Sequence, residues 1–329
     1  MFDSEIEADL ENGQAYVDGQ IPLYAEVSLS KMHQASGKNE LYRKLKSARC
    51  LKRLVAPAPA EFINQLFDEF VKEMPNFKEV IEYFRLQSIL RNRAEYPIFG
   101  ISNPVLLTGN PGIGKTYFAR RLSEIFCLEF LSIDLATTSA SFELTGGSSS
   151  WEGSKVGAIF AQLAFGETIN PVILLDEVEK SPNGKYPCHS SLFRILNPDQ
   201  SCDFVDEFAS PLSIDASRII YILTANNLDG VHSAIIDRCV IFNIEAPEPD
   251  QAESIAMSVW KRLQKTEPYA RSFDDVLSKE VLMALAHHTP RDMKKAIIRA
   301  MGVAAMRNSD TLESLDLSEA KPAMRRMGF

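Results

Sequence analysis

The sequence predicts an α/β protein: a parallel sheet with helices on both faces, followed by a small all-α domain. Three observations predict it. Apolar runs of strand length alternate with helix-length stretches between residues 61 and 246, the pattern of parallel strands joined by crossover helices. A glycine loop of the form G-x-x-x-x-G-K-[ST] follows the first of these runs and opens a helix. Beyond Pro247 and Pro249 only helical periodicity remains.

Residues 1–60 read as a charged N-terminal extension. Asp3, Glu5, Glu7, Asp9 and Glu11 make an acidic start, and between Lys31 and Arg53 eight basic residues face a single acid, Glu40. Such blocks form solvated faces or tails, or a docking arm. Pro57-Ala58-Pro59-Ala60 marks a boundary. Helical patterning follows over Glu61–Glu73 and Phe77–Arg93 and leads to the first strand, Pro104–Thr108. The other strand candidates are Leu128–Leu135, Pro171–Leu175, Arg218–Thr224 and Cys239–Ile244. The large α/β domain is expected over 61–246, and the helical domain over 247–329, with helices near 250–266, 278–288 and 290–307.

The glycine loop is Gly109-Asn110-Pro111-Gly112-Ile113-Gly114-Lys115-Thr116, and Tyr117 continues its helix. The glycines let consecutive N–H groups turn inward toward phosphate oxygens, and the helix that follows aims its positive end at the same charge. Lys115 is placed for the β- and γ-phosphates of ATP, and the Thr116 hydroxyl for Mg²⁺. Val172-Ile173-Leu174-Leu175-Asp176-Glu177 is an apolar strand ending in two carboxylates. After a P-loop this is the Walker B pattern, with Asp176 on Mg²⁺ and Glu177 activating the attacking water.

Composition narrows the classes. The chain has 329 residues and a net charge of −9, which argues against broad, sequence-independent nucleic-acid binding. Five cysteines are scattered without a C-x-x-C pair, so neither a zinc site nor a disulfide frame is suggested. The first residues lack the features of a signal peptide, and no apolar stretch is long enough to span a bilayer, so a cytoplasmic protein is expected.

Ile219–Asn227 is a further buried strand, ending in Thr224-Ala225-Asn226-Asn227. The order of P-loop, Asp-Glu strand, Thr-Ala-Asn strand, Asp237-Arg238 and helical region resembles an AAA+ ATPase. Within that superfamily the chain resembles the ATPase module of Lon-type proteases. Ser191–Gln200, Asp203–Asp206, Thr224–Asp229 and Ile235–Arg238 carry the likeness, which covers roughly residues 75–310. The resemblance implies roles by position: Asn226 as the sensor-1 amide, Arg238 as an arginine finger reaching a neighbouring subunit, and Arg291 as the sensor-2 arginine of the lid. It places Trp151 and Gly153 on the family's aromatic–x–Gly pore loop, which would grip an extended polypeptide, although a Trp also anchors its own loop in many proteins. Glu152 stands where the family prefers an apolar residue.

These implications converge on a homo-oligomeric ring, expected to be a hexamer, that hydrolyses ATP with Mg²⁺ and remodels or threads a protein client. The sequence ends at Phe329 without the family's serine–lysine peptidase domain, so proteolysis is not implied. Two alternatives stay open: a nucleic-acid-associated ATPase, suggested by the Lys31–Arg53 block, and an ATP-dependent assembly switch of low turnover.

Overall fold

The computed structural model describes residues 20–24, 26–36, 39–48, 50–94, 96–138, 141–148, 151, 153–181 and 188–319. The acidic start, Lys38, Arg49 and Glu152 lie outside the described residues. Among the described residues nine strands occur in order: β1 (Gln20–Pro22), β2 (Leu51–Arg53), β3 (Val105–Thr108), β4 (Phe130–Asp134), β5 (Val172–Asp176), β6 (Phe204–Val205), β7 (Ser213–Ile214), β8 (Ile220–Ala225) and β9 (Val240–Asn243). The chain divides into two units. One takes residues up to Ile63 with Phe84–Thr108 and Thr116–Asn243; the other takes Asn64–Tyr83, Gly109–Lys115 and Ile244 onward.

The first unit is built on a five-stranded sheet of order β4-β5-β8-β3-β9, parallel throughout. The three central strands are Val-Leu-Leu-Thr, Val-Ile-Leu-Leu-Asp and Ile-Tyr-Ile-Leu-Thr-Ala, and all but Asp176 are buried. Near-continuous apolar runs of this kind belong in a sheet covered on both faces, because every side chain must find apolar contact. The edge strands β4 and β9 are only partly buried. Phe118, Ala119 and Leu122 of the helix Lys115–Ile125 are buried, as are Ile159, Phe160 and Leu163 of the helix Ala158–Phe165. All five strands expected of the sheet are present. The antiparallel pair β6–β7 was not anticipated: at two residues per strand it carries no periodicity to read.

The described part of the segment before residue 60, expected as a charged extension, carries secondary structure. It forms helices Glu26–Ser36 and Asn39–Ser47 and the antiparallel pair β1–β2. Its charges do lie on a solvated face, with Arg43, Lys44 and Lys46 exposed. Leu29, Met32, Leu41 and Leu45, however, are buried in the same cluster as Ile173, Leu175 and Leu223 of the sheet. Lys52 is 2% exposed, and its ammonium donates to the carbonyls of Ala164 (2.9 Å) and Gly166 (2.7 Å). It thereby satisfies acceptors at the C-terminal end of the helix Ala158–Phe165, where a cation is also favoured by the helix dipole.

The second unit contains helices Pro249–Thr266, Lys279–Leu285, Pro290–Met306 and Ser314–Glu319. Trp260 is fully buried among Ile255, Leu263, Val281, Leu285, Met293 and Ile297, and its indole N–H donates to the Asp274 carbonyl at 3.1 Å. Sequence signals set the helix starts. Ser278 and Thr289 cap their helices through side-chain oxygens, and Glu248 forms a capping box with Gln251.

Candidate functional site

In the first unit, the parallel register carries the chemistry to one sheet edge. Thr108 of β3 lies opposite Ala225 of β8, and Leu175 of β5 opposite Leu223, so the C-terminal ends of the buried strands emerge together. This is where open α/β sheets bind ligands. Asp176 accepts hydrogen bonds from the hydroxyls of Thr116 (2.9 Å) and Thr224. The structure therefore brings together the two residues assigned to the metal. Hard oxygen donors of this kind suit Mg²⁺, which takes one or two protein oxygens and completes its shell with phosphate and water. Among the described residues, no cluster of three or more His, Cys, Asp or Glu side chains could hold a metal by itself.

Glu177 leaves the strand in the left-handed region, with φ 57°. A non-glycine residue adopts that conformation only when its surroundings hold it there. Its N–H donates to Thr224 Oγ1 at 3.1 Å, and its carboxylate pairs with Lys180 at 2.8 Å. The ion pair is part exposed, so it orients the carboxylate more than it stabilises the fold. Asn226 follows β8, and both its backbone N–H and its side-chain amide donate to Glu179 Oε1, at 3.1 and 2.8 Å. Arg238 donates from Nη1 to the Ala234 carbonyl at 2.6 Å, and its guanidinium lies 5.5 Å from the centre of the Phe193 ring.

In the second unit, the loop Gly109–Lys115 turns on glycines with positive φ. At Gly109 φ is 141°, and an added Cβ would stand 2.2 Å from the Ile244 carbonyl oxygen, so no other residue fits. Lys115 is 8% exposed and its ammonium donates to the carbonyls of Gly109 and Asn110. At Gly112 an added Cβ would lie 3.4 Å from Thr289 Oγ1 and 3.7 Å from Arg291 Cβ. Gly112 of the loop and Arg291 in the first turn of the helix Pro290–Met306 are thus close neighbours. The loop residues Asn110, Pro111 and Ile113 complete the same turn, and Tyr117 lies in the helix that continues from it.

Trp151 is 46% exposed and meets the Phe142 ring edge-on, with centroids 6.3 Å apart. It is not a core anchor. Gly153 beside it has φ 77° and open space where a side chain would be. The base of this loop is fixed by Asp206. The buried Asp206 carboxylate accepts from the N–H groups of Gly157 (2.8 Å), Phe208 (2.9 Å) and Ala209 (3.1 Å). It also packs so close to Gly146 that an added Cβ there would meet it at 2.2 Å. Burial pushes the Asp206 carboxyl up to about 6, against the opposing effect of its backbone donors.

Glu179, Thr224, Phe193, Phe142 and Asp206 were not singled out as site residues from sequence. Thr224, Asp206 and Phe193 stand inside the quoted motifs. Glu179 and Phe142 touch their partners only through tertiary folding.

Comparison with known proteins agrees with this geometry. Residues 105–246 match the ATPase family associated with various cellular activities (AAA). The chain is 28% identical over 218 residues to a Lon protease of Aster yellows witches'-broom phytoplasma, covering 64% of this chain and 27% of that protein. It is 31% identical over 180 residues to a Lon protease of Flavobacterium johnsoniae (54% and 21%) and 28% identical over 241 residues to one of Helicobacter pylori (70% and 29%). The chain thus spans less than a third of the length of these relatives.

Proposed function

We propose, from the premise that residues 105–246 are an AAA ATPase domain with Lon-like relatives, that this protein hydrolyses ATP with Mg²⁺ as a ring and uses the cycle to remodel or thread a protein client. The observation that carries the reading is the shared hydrogen-bond system Thr116–Asp176–Thr224–Glu177 at the end of the sheet. It joins the side chains of Thr116 and Asp176 and the backbone of Glu177 at the end of the sheet, which supports reading the first two as oxygen donors to a metal and Glu177 as the general base. Bound Mg²⁺ would supply neutralisation of the developing phosphate charge, and Thr116 and Asp176 would hold it.

The remaining roles follow from chemistry and motif. Gly109, Asn110, Pro111, Gly112, Ile113, Gly114 and Lys115 would cradle the phosphates, with Thr116 and Tyr117 continuing the loop into its helix. Glu177 would take the proton of the attacking water, and Asn226 would orient that water. Arg238 and Arg291 would stabilise charge spreading over the transferred phosphoryl oxygens. Exposure of Trp151, with open space at Gly153, supports the grip on an extended chain. We infer no peptidase activity for these residues, since the likeness to the Lon proteases falls on the ATPase fold. Among the described residues, no helix is long and apolar enough to cross a membrane.

Two variants test the reading. Lys115→Ala should abolish ATP binding, because the point charge on the β/γ-phosphates is lost. Glu177→Gln should keep binding and lose hydrolysis, and a pull-down with it should retain the client. Tight ATP binding by Lys115→Ala would sink the assignment. The exposed basic face of Asn39–Ser47 favours one other partner, nucleic acid. Its signature would be ATPase stimulation by DNA that falls steeply with salt.

A further inference from the structure

We propose that Glu179 is a positioning residue for hydrolysis: it selects which end of the Asn226 amide faces the reacting water. The inference rests on the reading of Asn226 given above and adds a residue to it. Three observations carry it. One oxygen of Glu179 receives both the backbone N–H and the side-chain Nδ2 of Asn226, at 3.1 and 2.8 Å. The other oxygen, Oε2, is buried and has no hydrogen-bond partner among the described residues. The turn that follows Asn226 also lies against the backbone of Glu179, because a Cβ added to Gly230 would stand 3.2 Å from the Glu179 carbonyl oxygen.

A side-chain amide has two nearly isosteric orientations, one presenting N–H and one presenting oxygen. With Nδ2 against Glu179 the bond is charge-assisted. Flipping the amide would set Oδ1 against a carboxylate oxygen, two acceptors with no proton between them. Glu179 therefore excludes one orientation, which an apolar residue could not do. The unpartnered Oε2 is unfavourable for stability, as expected where a buried polar group is retained for positioning. Val178, 1% exposed, fixes the short turn Val178–Lys180 on which Glu179 stands, so the carboxylate acts from a rigid base. The same turn carries Lys180, the partner of Glu177. One turn thus orients both the residue read as the base and the residue read as the water-positioning amide.

The test uses the full chain with Glu179→Ala, Glu179→Gln, Asn226→Ala and the double variant Glu179→Ala/Asn226→Ala. In MgATP turnover, Glu179→Ala should lower kcat by about 10- to 100-fold with KM changed less than about threefold, as for a displaced positioning group. Glu179→Gln can accept the same two bonds and should recover most of the loss. The double variant should be no slower than Asn226→Ala alone. Wild-type kcat in Glu179→Ala, or losses that multiply in the double variant, overturns the proposal. Amide hydrogen exchange at Asn226 reads the same contact without ATP and should be faster in Glu179→Ala than in Glu179→Gln. If the unmodified protein hydrolyses no ATP, the functional reading fails, and unchanged exchange at Asn226 would separately overturn the contact itself.

Discussion

Asp206 is a carboxylate without exposed surface, and it ties the base of the Trp151 loop to the turn 206–209. Its pKa is raised from 3.8 to about 6, mainly by burial, with Glu207 adding to the rise. The sign follows. The protonated form is the better tolerated one, so this group's contribution to stability is fully present below about pH 3.8 and lost as pH rises through about 6. The size is on the order of 3 kcal/mol between those limits. The melting temperature of the wild type, measured relative to Asp206→Asn, should fall as pH rises from 5 to 7, and parallel curves would show that Asp206 does not titrate there. Residues differ in how legible they were. The glycine loop and the Asp176-Glu177 strand end could be singled out because each is a run of consecutive positions with a recognisable spelling. Glu179 could not, since an acid three residues past a strand end is an ordinary solvated turn until folding brings Asn226, 47 positions away, against it.

Among the elements, strands and C-terminal helices were readable because their burial imposes a period. The four-residue β3 is wholly apolar apart from Thr108, and Thr289-Pro290 announces the helix that follows. The N-terminal helices were obscured by charge: Asn39–Ser47 carries Arg43, Lys44 and Lys46 on its solvated side, with Leu41 and Leu45 buried and Tyr42 packed partly buried against the same core. Leu45→Ala should therefore cost about 2–5 kcal/mol, the range for emptying a buried leucine site, and a melt unchanged by that variant would return the segment to a loose tail. The Trp151 loop predicts the opposite behaviour. With 46% of its surface exposed and one edge-on contact to Phe142, Trp151→Ala should change stability by less than about 1 kcal/mol. Basal ATPase should persist and client-dependent work should be lost. Fluorescence provides a control, because Trp260 is fully buried and Trp151 is not. Acrylamide should quench mainly the emission that Trp151→Phe removes.

At the scale of the whole molecule, the question is whether one copy of the chain is a complete catalyst. Arg238 is held within its own unit by the Ala234 carbonyl and the Phe193 ring, an arrangement that fixes a guanidinium at the end of a short helix without neutralising it by a carboxylate in any ion pair among the described residues. A guanidinium held in this way is suited to meet a phosphate carried by another copy. On that reading Arg238→Ala should lower turnover by about 10³-fold while leaving ATP affinity nearly unchanged, since the finger acts on the transition state. Turnover per chain should also fall on dilution, as rings dissociate. Mixing Arg238→Ala with Glu177→Gln separates action in trans from action in cis. Each variant alone is inactive, but a mixed interface can pair an intact Glu177 with an intact Arg238, so activity should return in proportion to such interfaces. If subunits demonstrably exchange, by light scattering or a labelled copy, and the mixture stays inactive, Arg238 does not act across a subunit boundary.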